Sequence, residues 1–177
     1  MQNIIKNAEK KDLSNEDILR ITKGKVKIIE YKELHNATSL EPFLEPYGSL
    51  VILYETREGY GHWVCLIKRG INSLEFFDPY GFKVDEELNL INEMHIRRNS
   101  ENQIQPHLTA LIQSGGYRVS SNLTKLQKFK KDVNTCGRHV AVRILLKRIK
   151  IREYEKLLCC NKNGDADWYV SALTYFM

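Results

Sequence analysis

With 177 residues, 42% of them hydrophobic, and a formal net charge of +5, the chain can bury one sizeable core, and one domain spanning residues 1–177 is the expectation. No apolar run approaches the roughly 20 residues of a bilayer-spanning helix, and Met1-Gln-Asn-Ile-Ile-Lys-Asn7 lacks a signal-peptide core, so a protein neither secreted nor transmembrane is expected. Cys65, Cys136, Cys159 and Cys160 form neither a disulfide framework nor spaced zinc pairs, so no metal site is expected.

Ser14-Asn-Glu-Asp17 has the form of a capping box and starts a predicted helix through Leu19 and Ile21, stopped by Gly24. Val26–Tyr31 and Ser49–Tyr54 read as strands, with Pro42–Gly48 as the loop between them; Leu50–Tyr54 is apolar throughout and should lie inside a sheet beside the next strand. That next strand is Gly61-His-Trp-Val-Cys-Leu-Ile67. It turns through Arg69–Ser73 into Leu74-Glu-Phe-Phe77, a predicted hairpin. Val84–Met94 and Gln105–Gln113 have helical spacing, separated by the polar stretch Arg97–Asn102. Gly115-Gly116 ends the second of these, and Tyr117–Ser121 is a short strand candidate. Val140, Ile144, Leu145 and Ile149 continue an apolar period that begins after Cys136-Gly137. A last helix is predicted from Asp165 or Asp167, with Trp168, Ala172, Leu173 and Phe176 turned inward. Nothing in the sequence repeats or divides the chain.

Three residues occupy local contexts suited to nucleophilic catalysis. His62 lies on a strand, and Asp78 follows the strand paired to it, so the hairpin brings both to the same sheet end. Cys136 opens a helix, with Asn134 or Thr135 available as cap. The positive end of the helix and a neighbouring imidazolium favour a thiolate there. An arbitrary Cys, His and Asp from this composition would carry no weight, since a strand His and a free Cys are usually structural; placement carries the argument. Cys65 and Trp63, at odd separations from His62, belong to the other face of its strand, Trp63 as a core aromatic. The basic residues Lys130, Lys131, Lys147 and Arg148 permit phosphate binding, against the plainer reading of a solvated face.

His62-Trp63, then Asp78-Pro79-Tyr80-Gly81, then a Gln-containing segment and Cys136-Gly137, resembles the adenovirus-type maturation proteases (adenain-like), which share a fold with the ubiquitin-like-protein proteases. The likeness covers roughly residues 61–146, and Asp167–Phe176 resembles the endings of related proteins from large DNA viruses and virophages. It implies an α+β, papain-like thiol protease fold: a small central mixed sheet against a buried nucleophile helix, with His62, Asp78 and Cys136 as triad and no cofactor. It further implies that Gln127, or in reserve Gln113, helps hold the oxyanion. Gln127 stands farther from Cys136 than in the best-known members. The implied activity is a cysteine endopeptidase that cleaves viral capsid or core precursors after small residues such as Gly-Gly, acting as a monomer in the virion and the host-cell interior, with non-specific DNA as an added partner. Two other readings compete: a ubiquitin-like-protein protease or deubiquitinase, and a non-catalytic basic nucleic-acid-binding module.

Overall fold

The structure, a computed structural model, describes residues 2–57, 60–91, 105–159 and 165–177. Its frame is a five-stranded mixed sheet in the order β1-β2-β3-β4-β5, formed by Lys27–Glu30, Ser49–Arg57, Tyr60–Gly70, Ser73–Phe77 and Arg118–Ser121. The three inner strands are antiparallel neighbours; β1 and β5 add at the edges in parallel with β2 and β4. The described helices are α1 (Gln2–Glu9), α2 (Asn15–Ile21), α3 (Glu41–Leu44), α4 (His107–Ser114), α5 (Cys136–Leu145), α6 (Ile151–Cys159) and α7 (Ala166–Tyr175), with 3-10 turns at Tyr31–Asn36 and Glu86–Leu90.

Alternation along the inner strands divides the apolar side chains between two cores, because neighbouring residues of a strand face opposite ways. Val51, Trp63, Cys65, Ile67 and Phe77 meet α2, α5, α6 and α7 on one face. Leu50, Ile52, Val64, Leu66, Leu74 and Phe76 meet α3, α4 and the first 3-10 turn on the other. Cys65 and Trp63 thus lie across the strand from Val64 and Leu66, and Trp63 is the expected core aromatic. Helix α5 is enclosed along almost its whole length, with every residue from Gly137 to Ile144 buried. Gly137 permits that enclosure: a Cβ there would lie 3.0 Å from Leu13 Cβ and 3.2 Å from Trp63 Cδ1. Two guanidinium groups are buried with α5. Arg143 pairs with both Glu75 oxygens at 2.7 and 3.0 Å and donates to the Leu146 and Ile149 carbonyls, so its desolvation is compensated.

The Ser14 capping box, the Gly24 stop, the hairpin, both outer strands and α4 follow the sequence reading. Three expectations do not. Part of the Pro42–Gly48 loop is helical, since Pro42 sits at the start of α3, where its missing N–H costs nothing. The helix expected over Val84–Met94 is only the 3-10 turn Glu86–Leu90, entered through Asp85 at φ +63; residues 92–94 and the polar stretch 97–102 lie outside the described residues. The Asp85 carboxylate instead accepts from Tyr31, Tyr54 and the Thr109 N–H, tying that turn to the sheet and α4. On α7 the buried face is Ala166, Asp167, Val170, Ser171 and Thr174, whereas Leu173 and Phe176 are exposed and Trp168 and Ala172 half-buried. A polar inward face is selected there because Asp167 and Thr174 each have hydrogen-bonding partners in the interior. Helices α1 and α6 were not anticipated.

Candidate functional site

The hairpin delivers His62 and Asp78 as expected. Cys65 stands opposite Phe77 across β3 and β4, which leaves Asp78 just past the end of β4 and His62 farther along β3. Their side chains meet, His62 Nε2 to Asp78 Oδ1 at 3.0 Å, and both are buried. Gly61, immediately before His62, sits against β2 so closely that a Cβ would come within 2.0 Å of the Tyr54 carbonyl oxygen. Only glycine lets the strand place His62 there.

Asp78 is held by its own turn. Its Oδ1 accepts from the Tyr80 N–H at 2.7 Å, Gly81 closes the turn to the Asp78 carbonyl at φ +78, and Asn122 bonds both the N–H and the carbonyl of Asp78. The Pro79 carbonyl accepts from the N–H groups of Leu126 and Gln127, each at 2.9 Å. The Asp-Pro-Tyr-Gly turn therefore fixes the acid and also positions the Gln127 segment. Tyr80 stacks on the His62 ring with centroids 4.4 Å apart and planes 12° from parallel.

Cys136 begins α5 and is partly exposed, and it lines the same cavity as His62, near enough for the two side chains to act on each other. With Nε2 engaged by Asp78, Nδ1 is the ring nitrogen left for the thiol. Burial works against a charged His62 ring, but the Asp78 carboxylate and the Cys136 side chain outweigh it and hold its pKa well above the ordinary range. The cap differs from the reading: Thr135 precedes the helix but makes no side-chain cap, its hydroxyl going to Asp167 instead, and Asn134 binds the backbone at Glu9 and Lys10. Burial, with Glu75 nearby, pushes the Cys65 thiol far up, so that cysteine stays neutral. Glu75 itself is held by Arg143 and Arg69.

A cavity of about 270 Å³ opens beside the thiol, lined by His62, Tyr80, Glu87, Gln127, Phe129 and Cys136 among others. Gln127 is buried, and its amide Nε2 donates to Tyr80 Oη at 3.3 Å and to the Val133 carbonyl at 3.2 Å. One of those two bonds must be exchanged before the amide can serve an oxyanion. Gln113 is exposed on α4 and takes no part. Lys130 and Lys131 precede the N-terminus of α5, whereas Lys147 and Arg148 follow its C-terminus, about 15 Å along the helix, so the four fall into two pairs at opposite ends of α5. Lys147 is also engaged, donating to the Tyr47 carbonyl at 2.7 Å.

Two features were not read from the sequence. Glu87 is buried beside the His62–Asp78 pair: one donor atom from each of the three residues lies within 4.8 Å of the others, and Asp78 Oδ2 and Glu87 Oε2 have no hydrogen-bond partner among the described residues. Burial raises the Glu87 pKa to about 7, with Asp78 adding to the effect and His62 opposing it. The second feature is another buried pair, His139 Nε2 to Asp167 Oδ1 at 3.0 Å. Asp167 also accepts from the Thr135 hydroxyl and the Lys128 N–H; His139 first, then these two bonds, hold its pKa below the usual carboxylate range despite burial. This pair braces the loop leading to Cys136. A residue written Asp at a helix start reads as a cap, and no local signal points to partners 28 or more residues away.

No family model matches the sequence. Uncharacterized protein V9 of Sputnik virophage is 41% identical over 152 residues, 86% of each chain. Among solved structures, the central domain of the uncharacterized Lpg1148 protein from Legionella pneumophila aligns with a TM-score of 0.45 and 15% identity over 93% of this chain and 94% of that one.

Proposed function

The chain belongs to the family of the Sputnik virophage protein V9, and we propose that it is a cysteine endopeptidase of papain-like arrangement. The observation that carries this reading is His62, bonded to Asp78 at 3.0 Å and sharing a cavity with the thiol that opens α5. In the cycle, His62 Nδ1 takes the Cys136 proton as the sulfur attacks a peptide carbonyl. Asp78 accepts from Nε2–H throughout, fixing the tautomer and stabilising the imidazolium. The Cys136 N–H, with Gln127 once its amide is freed, receives the oxyanion. His62 then protonates the leaving amine, and water attacks the thioester with the imidazole again as base, which restores the thiol.

The substrates we assign are capsid or core precursor polypeptides. Support comes from the virophage relative together with the resemblance carried by Asp78-Pro-Tyr-Gly81 and Cys136-Gly137. Incubating the protein with virophage structural precursors and, in parallel, with ubiquitin-like-protein fusions, then mapping new termini by mass spectrometry, tests the assignment. Cleavage of precursors that disappears in Cys136→Ala is the expected result; cleavage of the fusions alone would move the substrate class to ubiquitin-like proteins.

The convergence of His62, Asp78 and Glu87 favours a second reading, a metal-centred hydrolase, since these donor types and this spacing suit a divalent cation. Under that reading Cys136→Ala stays active and a chelator abolishes turnover; the thiol mechanism requires the reverse.

A further inference from the structure

Helix α5 buries two arginines, and among the described residues only one has an ion-pair partner. Arg143 has a carboxylate on one edge of its fork and carbonyls on the rest. Arg138, five residues earlier and 4% exposed, donates from one terminal nitrogen to Thr174 Oγ1 at 2.7 Å, while its Nε is buried with no partner among the described residues. Among the described residues no carboxylate forms an ion pair with it. Asp17, the acid at the same cavity, is held by Arg20 at 2.7 Å and by the Ser14 cap. A buried guanidinium without an anion is unfavourable unless something supplies one.

Arg138 lines a cavity of about 390 Å³ enclosed by α1, α2, α5 and α7, a size that suits a small organic ligand. Ile4, Ala8 and Ile21 give it an apolar wall, and Lys11 and the Asp17-paired Arg20 stand at it as further cations. We propose that this cavity binds a small organic acid, its carboxylate at the Arg138 guanidinium and its apolar body against α1 and α2. A guanidinium edge matches a carboxylate's two oxygens, and Asp17 at the same cavity disfavours a dianion such as phosphate. Burial also drives the Arg138 pKa down, as expected of a cation still lacking its counter-charge, with Asp17 opposing only in part. The site adjoins the candidate centre. Arg138 follows Cys136 by two residues, and the Leu13 carbonyl, also at the cavity, accepts from Trp63 Nε1. An acid bound there would tie the N-terminal helices to the nucleophile helix. The inference stands apart from the protease reading, and neither depends on the other.

The test is calorimetric titration of the whole chain with hexanoate, its neutral analogue hexanamide, and inorganic phosphate. Saturable single-site binding of hexanoate alone is expected, weakened by about tenfold or more in Arg138→Met, which removes the charge and keeps the bulk. Undetectable hexanoate binding, equal binding by the variant, or equal binding of hexanamide would each overturn the site; preferential uptake of phosphate would overturn its ligand class. Should Arg138→Met not fold, amide shifts of the wild-type protein on hexanoate addition decide the matter. Shifts centred on Lys11, Arg138 and Thr174 support the site, and shifts confined to other regions refute it.

Discussion

Replacing Glu87 by glutamine probes the buried acid beside His62 and Asp78 without altering its shape. In the folded protein burial raises the Glu87 pKa to about 7, from an ordinary value of 4.5. A raised folded-state pKa means that the stabilisation is complete below 4.5 and is withdrawn as pH rises through 7, where the native state must ionise a buried carboxyl. From those two values, the wild-type protein has lost about 1 kcal/mol of this contribution at about pH 5 and about 3 kcal/mol at about pH 8. Glutamine is neutral at both. Stability from urea unfolding should therefore favour Glu87→Gln over wild type by about 2 kcal/mol more at pH 8 than at pH 5. A gap that does not change with pH, or one that narrows toward alkaline pH, would refute the claim that Glu87 is a buried, neutral-leaning acid at this site.

Among the triad variants, Cys136→Ala should abolish peptide hydrolysis with little change in melting temperature, whereas His62→Ala should abolish it and also lower the melting temperature, because it leaves Asp78 buried without its partner. Asp78→Asn should keep a measurable remainder, reduced by about 10²–10⁴-fold, because an orienting acid contributes less than the base it orients; unchanged turnover in Asp78→Asn would remove that role. Asp167→Asn should destabilise the fold by on the order of 3 kcal/mol at neutral pH, since it breaks a buried pair and weakens the Thr135 and Lys128 anchors; the loss should shrink as pH falls and Asp167 is protonated in the wild type. An equal loss at acid pH would contradict it. Gly61→Ala should lower stability and activity together, because its Cβ meets the Tyr54 carbonyl at 2.0 Å and must push His62 off its strand position; full activity would show that β3 adapts.

How much of this was legible depended on how local each signal is. His62 and Asp78 were readable because a hairpin's two strands and turn are contiguous, and period-two alternation fixed which face Trp63 and Cys65 take. Cys136 was readable from the apolar period that follows it. Gln127 came from the resemblance rather than from its own surroundings; what places it is the Pro79 carbonyl, a backbone acceptor no side-chain pattern reveals. Glu87 was hidden because Val84–Met94 reads as a regular helix, whereas Asp85 at positive φ re-aims the turn and sends Glu87 toward His62. The α7 face was misassigned because apolar residues were taken as inward, while the buried positions there belong to Asp167, Ser171 and Thr174, two of them bonded to residues of α5.

The central claim is that His62 activates the Cys136 thiol, and the most direct measurement needs no substrate: the rate of iodoacetamide labelling at each cysteine, followed by mass spectrometry across pH in wild type and His62→Ala. The account predicts that at about pH 6 Cys136 is alkylated far faster than the exposed Cys159, that Cys65 stays unlabelled in the folded protein, and that the Cys136 advantage disappears in His62→Ala. A Cys136 that reacts no faster than Cys159, or equally fast without His62, would contradict it.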